Sequence, residues 1–99
     1  MSTPSSRNED KPGWTFLTNH FHVLVVLSRD PAARIRDMAD EVGITQRSVQ
    51  RILNDMVEEG ILSIEKSGRR NSYLINREYS LRHPLESKHK VGELLDLLT

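Results

Sequence analysis

The stretch Arg36–Gly60, RDMADEVGITQRSVQRILNDMVEEG, decides how this chain folds. With Ile35 just before it, Ile35, Met38, Ala39 and Val42 recur at i, i+3, i+4 and i+7, which is one apolar face of a helix. Arg36, Asp37, Asp40 and Glu41 take the wet side. Gly43 follows at once, where a left-handed terminating residue belongs. A second helix begins almost immediately. Thr45 can cap it, Val49, Ile52, Leu53, Met56 and Val57 form its apolar stripe, and Glu58-Glu59-Gly60 closes it. Two helices joined by a turn of about three residues containing glycine are a helix-turn-helix.

Working outward, the chain supplies the elements that cover this pair. Between Phe16 and Leu27, the positions Leu17, Phe21, Leu24 and Leu27 keep helical spacing, and Val23, Val25 and Val26 widen the stripe. That predicts a first helix buried on more than one side, ended by Asp30-Pro31. After Gly60, two β-prone runs, Ile61 to Lys66 and Tyr73 to Arg77, flank the polar loop 67–72, SGRRNS. They read as a hairpin with a projecting basic tip. A last helix is expected after His83-Pro84, with the proline in its first turn and Val91, Leu94, Leu95 and Leu98 as its stripe. The predicted class is α+β, mainly helical: a winged helix-turn-helix with a three-helix core, a two-stranded wing hairpin and a C-terminal helix. Residues 1–13, MSTPSSRNEDKPG, carry almost nothing to bury and are expected to be a disordered tail. Residues 14–99 are expected to form the single domain.

Composition narrows the functions such a domain can have. The chain has 99 residues, 36% hydrophobic and 28% charged, an ordinary soluble balance with room for one modest core. It has 0 cysteines, which excludes disulfides, cysteine-based zinc sites and thiol nucleophiles. Its longest apolar run, Val23 to Leu27, is far short of the roughly 20 residues that cross a bilayer. With no apolar signal core at the N-terminus, the expected compartment is the cytoplasm. The 14 basic residues balance 14 acidic ones, so any nucleic-acid surface must be a local face and not a general polycation.

The third helix offers such a face. At about 100° per residue from Gln46, the polar set Gln46, Arg47, Gln50, Arg51 and Asn54 falls between roughly 0° and 140°. Val49, Ile52, Leu53, Met56 and Val57 fall between roughly 240° and 20°. Arginine can bind guanine bidentately, and glutamine or asparagine can pair with adenine in the same way. No acid stands on this helix before Asp55, so its first two turns can enter an anionic groove without repulsion. Thr45 and Ser48 sit where hydroxyls and backbone N–H groups can meet a phosphate. In the hairpin, Lys66, Arg69, Arg70 and Asn71 make a compact cluster suited to phosphates or a narrow minor groove. Acidic residues gather instead at Asp37, Asp40, Glu41, Asp55, Glu58 and Glu59. The molecule is thus expected to be polarised and not neutral throughout.

The block RDMADEVGITQRSVQRILNDMVEEG, followed by a strand, GRRN and a second strand, resembles the winged helix-turn-helix domains of bacterial MarR/ArsR-like transcriptional regulators. Ala39, Gly43, Val49 and Ile52 stand where that pattern has a small residue, a turn glycine and two core residues. WTFLTNH and LRHPLE resemble a small single-domain group of such regulators, and the likeness covers roughly residues 14–98. It implies a homodimer that sets two recognition helices in successive major grooves of a pseudo-palindromic site. The sequence shows none of the cysteine-rich or paired His/Asp motifs of metal-sensing relatives, and the extra helices of many ligand-sensing ones are not expected.

Neither a metal, a cofactor nor a small-molecule ligand is therefore expected. His20 and His22 point about 200° apart on a helix and cannot chelate one ion together. No phosphate loop or Gly-flanked nucleophile is present, so the chain does not read as an enzyme. The apolar stripe of the last helix exceeds what solvent tolerates, so it either folds back onto the first helix or pairs with the same helix of a second chain. The dimer is the preferred reading, with its interface expected at Leu17, Phe21, Val91, Leu94, Leu95 and Leu98. The expected function is sequence-specific binding of duplex DNA by a homodimer, with the helix at about 45–59 in the major groove. The alternative, favoured by the zero net charge, is a winged helix serving as a protein–protein adaptor.

Overall fold

The computed structural model describes residues 13–99. The expectation for the tail falls on residues 1–12 and so lies outside the described residues, apart from Gly13. The elements run α1 (Asn19–Arg29), α2 (Ile35–Val42), α3 (Gln46–Glu59), β1 (Leu62–Ser67), β2 (Arg70–Ile75) and α4 (Val91–Leu98). This is the winged helix-turn-helix order.

The central helix pair follows its sequence signals closely. α2 ends at Gly43, whose φ of 86° is left-handed, and the N–H groups of Gly43 and Ile44 both return to the Ala39 carbonyl. That closure needs no Cβ in the way, which is why glycine stands there. α3 starts two residues later with the Thr45 hydroxyl accepting the Ser48 N–H at 3.0 Å, and closes through Gly60 in the same left-handed form. Val49, Ile52, Leu53 and Met56 are buried along it. Burial of side chains of this size contributes roughly 1.5–3 kcal/mol each. They hold α3 against α1 and α2 and leave its opposite side to solvent.

Three boundaries differ from expectation. α1 begins at Asn19 and not near Phe16, because the Thr18 hydroxyl accepts the Phe21 N–H at 3.3 Å and fixes the first turn there. Trp14 and Phe16 lie ahead of the helix as an edge-to-face pair 5.2 Å apart, with Phe16 94% exposed. In the hairpin the strands continue through residues predicted to be loop. Pairing runs from Leu62↔Ile75 to Ser67↔Arg70, so the connection is the two residues Gly68 and Arg69 and not the six of 67–72. Gly68 has φ 68° and Arg69 does not have a positive φ, the pattern of a two-residue turn with glycine first.

The third difference is at the C-terminus. Pro84 does not enter a helix. Residues 79–81 and 89–91 instead pair backbone to backbone, with Val91 N–H to the Tyr79 carbonyl at 2.9 Å and Leu81 N–H to the His89 carbonyl at 3.0 Å. The intervening turns hold Pro84, and α4 starts only at Val91, where Glu93 accepts the Lys90 backbone N–H at 3.2 Å. The core is a single apolar cluster drawing on α1, α2, α3, Leu62, Tyr73, Val91 and Leu95. Phe21, Val91 and Leu95, three of the residues expected at a dimer interface, belong to it, at 8%, 3% and 0% exposure, so the protomer itself already covers them. Leu17 and Leu94 are half-buried, and Leu98 is exposed.

Candidate nucleic-acid interface

The polar side of α3 faces solvent because its other side is spent on the core. Thr45, Gln46, Arg47, Gln50, Arg51 and Asn54 are all exposed, and Ser48 is half-buried beneath Thr45. Thr45 also donates its hydroxyl to the Ser48 hydroxyl at 3.0 Å, which ties the two residues to the helix start. One turn on, the Gln50 amide donates to the Asn54 side-chain oxygen at 3.1 Å. That bond orients both amides along the face. The structure therefore brings together the whole set expected on α3.

The wing is organised by strand alternation. Lys66 and Asn71 are cross-strand partners and share the face that carries Ile64 and Tyr73. Arg69 is at the tip, exposed, in the two-residue turn. Arg70 opens β2, and its guanidinium donates to the Ala32 carbonyl in the linker between α1 and α2. It is thereby tied back to the body of the domain, unlike Arg69. Tyr73 reinforces the same joint, its backbone N–H donating to the Pro31 carbonyl at 3.0 Å. Glu65, an acid on the wing that composition did not bring to notice, shares the other face with Ser72, whose hydroxyl donates to the Glu65 carbonyl.

Ion pairs divide the cations into two groups. Arg29 pairs with Glu41 (3.3 Å), Arg77 with Asp96 (2.6 Å), Arg82 with Glu59 (3.0 Å) and Lys90 with Glu78 (2.8 Å). Among the described residues, Arg47, Arg51, Lys66, Arg69 and Arg70 are in no ion pair. The two α1 histidines separate as their spacing requires: His20 meets Asp55 at 3.0 Å, and His22 meets the Asn19 side chain at 3.1 Å. The Lys90–Glu78 hydrogen bond, more than their charge alone, lowers the Glu78 pKa and raises that of Lys90. All of these effects lie at the α4 side and not on the polar face of α3.

A helix-turn-helix whose second helix exposes Arg, Gln and Asn side chains, followed by a basic hairpin, is the architecture of winged-helix transcriptional regulators. The model of the MarR family matches residues 15–70, and the chain belongs to that family. The family is one of regulators and not of enzymes. The chain is similar in fold to a predicted DNA-binding transcriptional regulator from E. coli, at 18% identity and a TM-score of 0.56 over 79% of this chain and 70% of that one. It also aligns with the zinc-dependent MarR family transcriptional regulator AdcR in its Zn(II)-bound state, at 20% identity and a TM-score of 0.48, over 66% of this chain and 47% of that one. No curated protein matches the sequence.

Proposed function

We propose that this regulator binds duplex DNA sequence-specifically as a homodimer in the cytoplasm, through the domain spanning residues 14–99. The observation that carries the reading is the exposed face of α3 from Gln46 to Asn54, which holds two arginines and three amides without a carboxylate. Arg47 and Arg51 present forks to guanine, and Gln46, Gln50 and Asn54 present amides to adenine. Thr45, Ser48 and Lys66 contact the backbone. Arg69 and Asn71 on the wing reach the minor groove or phosphates. Arg70, next to the tip, acts with its side chain turned back toward the linker, where the Ala32 bond holds it.

The dimer surface that remains after the core is filled is smaller and more peripheral than the helical stripes suggest. Leu94, Leu97 and Leu98 lie on one side of α4, with Leu97 81% exposed. Beside Leu94, a groove is lined by Phe16, Leu17, Leu81 and Leu85. Leu85 is itself 89% exposed. A second copy covering these side chains would remove them from water and place a second α3 for a second half-site.

The test is binding of the purified chain to random-sequence and genomic duplexes across about 50–200 mM salt, with sedimentation of the free protein and the complex. A steep salt slope with two chains per duplex supports the reading. Absence of binding at the lowest salt overturns it and favours a protein partner for the α3 face.

A further inference from the structure

The Arg70–Ala32 contact closes one side of a cleft in which two wing residues, Arg70 and Asn71, meet Arg34, a cation not among the DNA-contacting residues named above. The linker residues Ala32, Ala33 and Arg34 with Ile35, the first residue of α2, form one wall, and Arg70, Asn71 and Tyr73 of β2 form the other. Met38, fully buried, lies at its floor with Ala33 and Tyr73, each 8% exposed. The rim is therefore cationic and the floor apolar. Arg34 and Arg70 are both exposed, and among the described residues neither pairs with a carboxylate. The nearest acid along the linker, Asp30, is occupied in accepting the Ala32 N–H at 3.1 Å. Asp37, on the first turn of α2, does not line the cleft.

We propose that this cleft is a backbone anchor: Arg34 and Arg70 grip one DNA phosphate between them while the adjoining deoxyribose rests on the apolar floor. The proposal deepens the DNA-binding reading and rests on it. Four considerations select this occupant. The cleft volume is about 240 Å³, below the roughly 300–1,000 Å³ typical of drug-sized ligand sites. Guanidinium groups match phosphate oxygens in a two-point geometry that an ammonium group does not. Arg70 spends one of its N–H groups on Ala32, which fixes its orientation and leaves further donors. Finally, Arg70 follows Arg69 directly at the tip end of the wing, so a DNA strand that meets Arg69 passes along Arg70 next. Such an anchor carries no sequence information and sets the register in which α3 meets the bases.

The test uses the full chain with a duplex recovered by selection and a random-sequence duplex. Arg34→Ala and Arg70→Ala are each expected to weaken binding to both duplexes by the same factor, about three- to tenfold. Each should also flatten the salt slope by about 0.9. Arg34→Lys should keep the slope while recovering only part of the affinity. Lys88→Ala removes a charge outside the cleft and is expected to leave both quantities unchanged. Because Arg70→Ala also loosens the wing, the exposed Arg34 variants decide the matter, with a thermal melt confirming their fold. A wild-type slope for Arg34→Ala, or losses confined to the selected duplex, overturns the anchor while leaving the α3 reading intact. A wild-type chain that binds neither duplex overturns both.

Discussion

The two halves of α3 share one backbone and one buried stripe, yet their exposed sides are arranged in opposite ways. From Gln46 to Asn54 the exposed residues carry no acid, and Arg47 and Arg51 are in no ion pair among the described residues. From Asp55 to Glu59 two of the three acids, Asp55 and Glu59, are held by the rest of the domain. His20 meets Asp55, while Arg82 and the Tyr79 hydroxyl both meet Glu59 at 3.0 Å. One end of the helix is tied to the body and the other is left unneutralised. The comparison shows how a chain of zero net charge can present a cationic surface: compensating acids stand at the far end of the helix, where Asp55 and Glu59 are partnered.

The largest effect should come from removing what both halves share. Leu53→Ala deletes a side chain at 1% exposure and is expected to cost about 2–5 kcal/mol in denaturant unfolding, with DNA binding lost alongside. A separation of the halves comes next. Arg47→Ala or Arg51→Ala should cost about 1–3 kcal/mol at a selected site and relax its specificity, with the unfolding midpoint unchanged. Equal losses on every sequence would reduce these arginines to general phosphate contacts. Between the helices, Gly43→Ala places a Cβ at φ 86° and should destabilise the domain by about 1–2 kcal/mol.

The tied end should respond only slightly. Asp55→Asn and Arg82→Ala break exposed pairs, and each is expected to shift stability by about 0–1 kcal/mol and to leave sequence preference unmoved. A change of preference on Asp55→Asn would show that the two halves do not act separately. Smallest of all is an acid effect at α4. The hydrogen bond from His89, aided by the Lys90 backbone N–H, holds the Glu93 carboxyl below its ordinary range, and Lys90 does the same for Glu78. A lowered folded pKa contributes stability that is present above the ordinary glutamate value of about 4.3 and is lost as pH falls through the folded value. A melting temperature followed through that acid range should fall less steeply in Glu93→Gln than in the wild type.

The same contrast explains what the sequence disclosed and what it hid. Gly43, Thr45 and Gly60 mark the limits of α2 and α3 with side-chain or backbone chemistry that acts within a few residues, and those limits were legible. The polar set on α3 was legible too, because helical period alone separates it from Val49, Ile52, Leu53 and Met56. The wing turn was not: Arg70, Asn71 and Ser72 look like loop residues, yet backbone pairing with β1 carries them into a strand. Pro84 looked like a helix start because nothing local signals the pairing of 79–81 with 89–91. Periodicity also cannot say which apolar residues of α1 and α4 the protomer covers itself, as it does Phe21, Val91 and Leu95, and which it leaves exposed, as it does Leu97 and Leu98. The cleft at Arg34 joins residues 38 positions apart through Arg70 and Ala32, a contact that no short spacing announces.

The most direct test is selection from a random duplex pool by the purified full chain, followed by sequencing of the bound fraction. The account predicts an enriched inverted repeat with half-site centres about 10 base pairs apart, read by two copies of the acid-free half of α3. A bound pool with no enriched sequence, or no bound pool at all, would contradict it.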